Sequence, residues 1–253
     1  MMKNLGHHRH TIAHWAMELL VVAVGILIAF SVQQWAEDRS SARKAAAAEV
    51  RIRNEARGNS GLLIERVMIR DCLRGRLRDL TKRLKDKKGG WKPLDSRVEY
   101  DPGFSDRIYR TPSRNWVSDS YSSALQNGDL AALPVEKQAQ IASLYRQQRT
   151  ASELNDTETD LAVSLDYLKN QPNLSDPERN ALLSTVSRLE FINNLLLVIA
   201  DQNLDYMRNL GYAQPREEEV KSVHTGWAKF ASRTAQVYGQ CVDKRLPLGF
   251  DPD

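Results

Sequence analysis

The chain has 253 residues, of which 42% are hydrophobic and 27% charged; this is a globular composition and excludes a collagen-like, disulfide-dense or fully disordered protein. Its 36 Lys and Arg against 32 Asp and Glu leave +4, too small a surplus to argue for nucleic acid as a partner without a clustered patch and a matching fold. Two cysteines, Cys72 and Cys241, belong to no CxxC pair. They cannot build a four-thiolate zinc site and leave one disulfide or two free thiols.

Residues 12–32 read IAHWAMELLVVAVGILIAFSV. At about 1.5 Å per residue this segment covers roughly 30 Å, the thickness of a bilayer core. The strictly apolar run from Leu19 to Phe30 is only 12 residues, so a buried soluble helix and a signal-peptide core are the competing readings. The signal peptide has Lys3 and Arg9 as a positive leader but a poor small-residue cleavage site at Ala29-Phe30-Ser31. Trp15 and Trp35 flank the apolar run, and indole rings favour the headgroup region at both ends of a span. We therefore expect an uncleaved transmembrane helix over residues 12–34, preceded by a short cytoplasmic leader of residues 1–11.

The run from Glu18 to Phe30, ELLVVAVGILIAF, followed by Gln33-Gln34-Trp35, resembles the anchor of a family of uncharacterised bacterial single-pass membrane proteins. A looser likeness continues through Cys72-Leu73, Arg114-Asn115-Trp116, Leu133-Pro134, Leu144-Tyr145 and Cys241. It is similar to a proteobacterial branch with short N-termini and long extracytoplasmic helical regions. The resemblance implies an inner-membrane anchor and no reaction.

Orientation is contested by the charges. Lys3 and Arg9 precede the span, whereas Arg39, Arg43 and Lys44 follow it, so the positive-inside count does not favour an external C-terminus. Long domains translocate largely regardless of charge, and a structural disulfide is natural only in an oxidising compartment. The expected topology is a cytoplasmic N-terminus and a periplasmic domain over residues 36–253.

Beyond the span, residues 36–88 contain no proline and carry Leu62, Ile69, Leu73, Leu77, Leu80 and Leu84 at spacings of 7, 4, 4, 3 and 4, a helical period. Gly58, Gly61 and Gly75 weaken that helix and allow a break near residues 58–61. Residues 89–113 hold six Gly or Pro and read as a long irregular loop. A short helix over about 114–127 stops at Gly128. Pro134 then starts a helix to about residue 170, with Ile141, Leu144, Tyr145, Ala151, Leu154, Leu161, Leu165 and Leu168 on its apolar face.

Ser175-Asp176-Pro177-Glu178 is a capping box with proline in the first turn. The helix it opens carries Leu182, Val186, Leu189, Leu196, Ile199, Met207 and Leu210 at helical spacing and stops at Gly211. A last helix covers about 217–244. No strand alternation or internal repeat intervenes, so the expected fold is mainly α: a transmembrane helix followed by an antiparallel helical bundle.

Charge is divided along the chain. Residues 39–92 carry 17 Lys and Arg against 6 Asp and Glu, a net of +11, and residues 93–253 carry 17 against 23, a net of −6. The plainer reading sets a basic first helix against more acidic partner helices. The functional one makes it a surface for anionic lipid or another anionic envelope component.

Few residues suggest chemistry. Cys72 and Cys241 lie 169 positions apart, and a bridge between them would tie the first long helix to the last. His7, His8, His10 and His14 lack acidic or cysteine companions and read as a polar leader rather than a metal site. Glu18 falls inside the expected span, where it pairs with His14 one turn earlier, remains protonated or faces a partner helix. Gly25 and Ala29 form a small-xxx-small surface suited to homodimerisation. Arg110, Arg114 and Trp116 at the loop exit, with Gln148, Asn155 and Glu158 on the next helix, form either a polar pocket or a layer that fixes register.

There is no GxSxG, P-loop, HExxH or dinucleotide fingerprint, and His224 is the only histidine beyond the leader and span. The expected protein is accordingly no enzyme and carries no cofactor. It is a membrane-anchored interaction or scaffold module, whose partners are the bilayer, a second copy, and an envelope protein or anionic lipid. The alternatives are a ligand-sensing bundle signalling through a partner, and an enzyme with an unrecognised site.

Overall fold

A computed structural model describes residues 5–87, 91–92, 107–112, 116–169, 171–213 and 220–245. Its first element, α1, is Leu5–Met68, 64 residues in one helix and about 95 Å long. The apolar N-terminal part is uncovered on every side, with Leu19 75% and Trp35 61% exposed. It is long and apolar enough to cross a membrane. From Ala45 onward one face of the same helix is buried, through Ala48, Ile52, Ala56, Asn59, Leu63 and Arg66. These steps of three and four residues form one helical stripe.

The expected weak point at Gly58 and Gly61 stays helical. The irregularity falls instead at Ile69, whose φ of −94° and ψ of 7° lie in the sparsely used bridge region. The Met68 carbonyl there accepts 2.9 Å from the Asp243 amide, so a distant segment of chain takes the bond that a continuing helix would make. α2, Arg70–Lys85, follows and buries Leu73, Leu77, Leu80 and Leu84.

The helix expected over 114–127 is shorter, α3 Asp119–Gln126, and the chain turns at Gly128 with φ +69°. α4, Val135–Ser164, begins directly after Pro134 and runs into a 3-10 turn, Leu165–Lys169. α5, Asp176–Asn209, carries the capping box: the Glu178 amide donates to the Ser175 hydroxyl and the Ser175 amide to the Glu178 carboxylate. Its end is marked by Gly211 at φ +68°, a left-handed conformation that glycine adopts without a Cβ penalty. α6 is Val220–Tyr238; it ends six residues before the expected 244, and residues 217–219 lie outside the described residues. Of the expected loop over 89–113, residues 89–90, 93–106 and 113 lie outside the described residues.

Side-chain pairings fix the helix directions. Asn203 reaches Leu144 and Gln147 reaches Gln202, while Asn193 and Glu158 meet the same arginine, so α4 and α5 run antiparallel. Asn59 pairs with Gln148 and Arg66 with Glu158, so α1 and α4 run parallel. Arg74 reaches Asn194 and Arg179 reaches the Leu84 carbonyl, so α5 also runs back along α2. The fold is thus mainly α, with α1–α2, α4 and α5 as its central bundle.

The core is layered. Nearest the uncovered end of α1, Ile52, Ala56, Ile141, Leu144, Met207 and Tyr212 pack together. A middle group joins Leu63, Ala151, Ile192, Leu196 and Ala200. The largest group, farthest along, unites the α2 leucines with Ile108, Tyr109, Leu165, Leu189 and residues of α6. Burying these side chains contributes on the order of 1.5–3 kcal/mol each. Polar layers lie between the apolar groups.

Candidate functional site

The deeper polar layer centres on Arg66, which is 3% exposed. Its Nη1 donates 3.0 Å to Glu158 Oε1 and its Nη2 donates 2.5 Å to Oε2. Asn155 Oδ1 at 3.3 Å and Asn193 Oδ1 at 3.4 Å accept from the same guanidinium. Tyr109 donates to Glu158 Oε1 at 3.4 Å; burial first, and then the Glu158 charge, pushes its hydroxyl well above the usual phenol range. Arginine's planar fork matches a carboxylate at two points, so this layer is a closed ion pair. Both Glu158 oxygens are occupied from within the chain.

The second layer links α1, α3 and α4. Asn59 clamps residue 117, donating 2.7 Å to its carbonyl and accepting 3.1 Å from its amide, and donates 2.9 Å to Gln148 Oε1. Glu55 accepts from the Ser120 amide at 2.7 Å, the Tyr121 amide at 3.3 Å and the Tyr145 hydroxyl at 2.7 Å. The α3 start has no side-chain cap of its own from Ser118. A carboxylate from α1 instead meets the free amides of its first turn, where negative charge is favoured.

Beside this layer, residues 116–122, α4 and Asn59 enclose a cleft of about 530 Å³. Tyr121 and Tyr145 stack there at 4.3 Å between ring centroids and 10° between planes. Trp116, Gln148, Arg146 and Arg149 also line it. Gln148 is 2% exposed and its Nε2 has no hydrogen-bond partner among the described residues.

The residues proposed from sequence as one polar group are divided. Asn155 and Glu158 share the Arg66 layer. Trp116 and Gln148 line the cleft one layer away. The Arg110 guanidinium lies 5.8 Å over the Tyr238 ring, with Nη1 buried and unpartnered. Arg114 lies outside the described residues, as do the side chains of His7, His8, His10 and His224. Arg66, Asn59 and Glu55 were missed by sequence reasoning. Their signal was phase: Asn59 and Arg66 lie on the buried stripe of α1 and Glu55 is half-buried beside it, and of the apolar series read from sequence Leu62 falls off that stripe while Ile69, Leu73, Leu77, Leu80 and Leu84 extend it.

Cys72 and Cys241 form a disulfide, Cα to Cα 5.2 Å. It pins the α2 start to the turn after α6, beside the Met68–Asp243 backbone bond. A cleft of about 490 Å³ adjoins it, lined by Arg76, Arg107 and Arg110 but also by Asp71 and Asp79. In the uncovered part of α1, His14 Nε2 stands 3.6 Å from Glu18 Oε1. Gly25 and Ala29 are exposed, and a Cβ at Gly25 would meet no atom within 4 Å.

Arg70, Arg74, Arg78, Lys82 and Lys85 are exposed at steps of four, four, four and three along α2, which aligns them as one basic ridge. Arg70 has Asp71 and Arg74 has Asn194. Among the described residues Arg78, Lys82 and Lys85 make no side-chain ion pair or hydrogen bond. No family model, curated protein or solved structure matches the chain.

Proposed function

We propose that this protein is a single-pass, inner-membrane interaction module that holds a periplasmic helical bundle at a fixed stand-off from the bilayer. The observation that carries this reading is the continuity of α1, one helix that is bare and apolar at its start and a core element of the bundle from Ala45 to Met68. The disulfide supports the periplasmic side, since such a bond persists in an oxidising compartment. The family resemblance of the ELLVV…QQW run points the same way.

The basic ridge is the surface we assign to a partner. From Trp35 to Ile69 the helix rises about 50 Å, far beyond the roughly 8 Å over which surface charge acts at physiological salt. The anchor's own headgroups are therefore out of range. An acidic face of an envelope protein suits the ridge better, because charge complementarity steers association.

A photocrosslinking side chain at Arg78 or Lys82, with protease treatment of intact spheroplasts, tests both parts. The expected result is digestion of the bundle from outside and a defined protein adduct that disappears when Arg74 and Lys85 of the same ridge are changed to glutamate. A bundle protected from protease, with free thiols, overturns the topology; absence of any ridge-dependent adduct overturns the partner surface.

A sensing role is the second reading. It is favoured by the same unbroken α1, because a change in the bundle would act on the span directly.

A further inference from the structure

The cleft beside Gln148 differs from the recess beside the disulfide in its charges rather than in its buried donors, since each has one without a partner among the described residues: Gln148 Nε2 here and Arg110 Nη1 there. A buried amide N–H without an acceptor costs about 1–3 kcal/mol, and the Gln148 Nε2 is such a group. Its carbonyl oxygen is already committed to Asn59. The Tyr145 hydroxyl is likewise committed, to Glu55. Aromatic surface remains, from Trp116 and the stacked Tyr121–Tyr145 pair. At the rim stand Arg146 and Arg149, three residues apart on α4 and exposed, with no side-chain ion pair or hydrogen bond among the described residues. Among the described residues no carboxylate lines the cleft. The recess beside the disulfide, by contrast, sets Asp71 and Asp79 against its arginines.

We propose that this cleft binds a small anion carried on a flat ring, a monocyclic carboxylate or phosphate ester. The ring lies against the aromatic side chains and the charged group meets the two guanidinium forks. Each contact follows from the donor set: guanidinium groups bind planar or tetrahedral oxyanions at two points, aromatic faces favour flat apolar surface, and a volume near 530 Å³ is in the usual range of small-molecule sites. Binding would draw residues 116–122 and α4 together. The Asn59 clamp on residue 117 would transmit that to α1.

The test uses the full-length chain in detergent micelles, titrated with 4-hydroxybenzoate and with phenyl phosphate, and with 4-hydroxybenzamide and inorganic phosphate as comparisons. Thermal unfolding and tryptophan fluorescence are read. At least one ring anion should raise the unfolding temperature and bind saturably, and the two arms separate carboxylate from phosphate recognition. The uncharged benzamide should do neither, and inorganic phosphate should bind more weakly than the ring anion that binds. Arg146→Gln with Arg149→Gln, both exposed and without partners to lose, should weaken binding about tenfold or more. No saturable binding of either ring anion below about 10 mM, equal binding of inorganic phosphate, or undiminished binding by the double arginine variant overturns the proposal.

Discussion

Arg66 and Glu158, 92 residues apart in the chain, close a two-point ion pair where neither side chain is more than 3% exposed. Breaking a buried pair leaves one charge in a medium that solvates it poorly. We predict that Arg66→Ala or Glu158→Ala each costs about 3–5 kcal/mol, whereas Arg66→Met combined with Glu158→Leu costs less than either. Urea unfolding followed by circular dichroism measures all three. A double variant less stable than both single variants would show the pair to be a net source of stability.

The Cys72–Cys241 bridge closes a loop with a sequence separation of 169. Replacing both cysteines by serine should lower stability by up to about 5 kcal/mol, by restoring conformational freedom to the unfolded chain. Mobility on gels should change on reduction for the native chain and not for the variant. An unchanged unfolding midpoint would make the bridge a spectator.

Glu178 gives a pH signature. Hydrogen bonds from the Ser175 hydroxyl, then the Tyr167 hydroxyl, then the Ser175 amide lower its carboxyl from 4.5 to about 2. A group whose pKa is depressed by folding stabilises fully above its unfolded value and loses that contribution as pH falls through the folded one. Glu178→Gln should therefore be less stable than the native chain at pH 6, and the two should converge near pH 2. Parallel curves across that window would remove Glu178 as their cause.

Glu55 replaces a local cap for α3. With Glu55→Ala, the Ser120 and Tyr121 amides lose their acceptor, and the cost should be about 1–2 kcal/mol. Hydrogen exchange should quicken at those two amides first. Protection unchanged there would mean that water or Ser118 takes over the cap.

The helical layout was readable because its signals are local: the Ser175–Glu178 box, Pro134 and the stops at Gly128 and Gly211 each act within one turn. The break at Ile69 was not, because its cause is Asp243, far along the chain and joined to Met68 only in the fold. Arg66 and Asn59 were hidden for another reason. A polar residue on a buried stripe looks like a solvated one until its partners are known, and those partners stand 92 and 89 positions away. Asn155 and Glu158 were found by their interruption of an apolar face, but sequence gave no measure of their distance from Arg110.

Because α1 is unbroken from Leu5 to Met68, the compass bearing of Gly25 about the helix axis is locked to that of Arg66. If two copies met through the Gly25 face, their bundles would have no free choice of which sides confront each other. Adding one alanine between Trp35 and Ala45 would swing the bundles by about 100° relative to the apolar N-terminal part of α1.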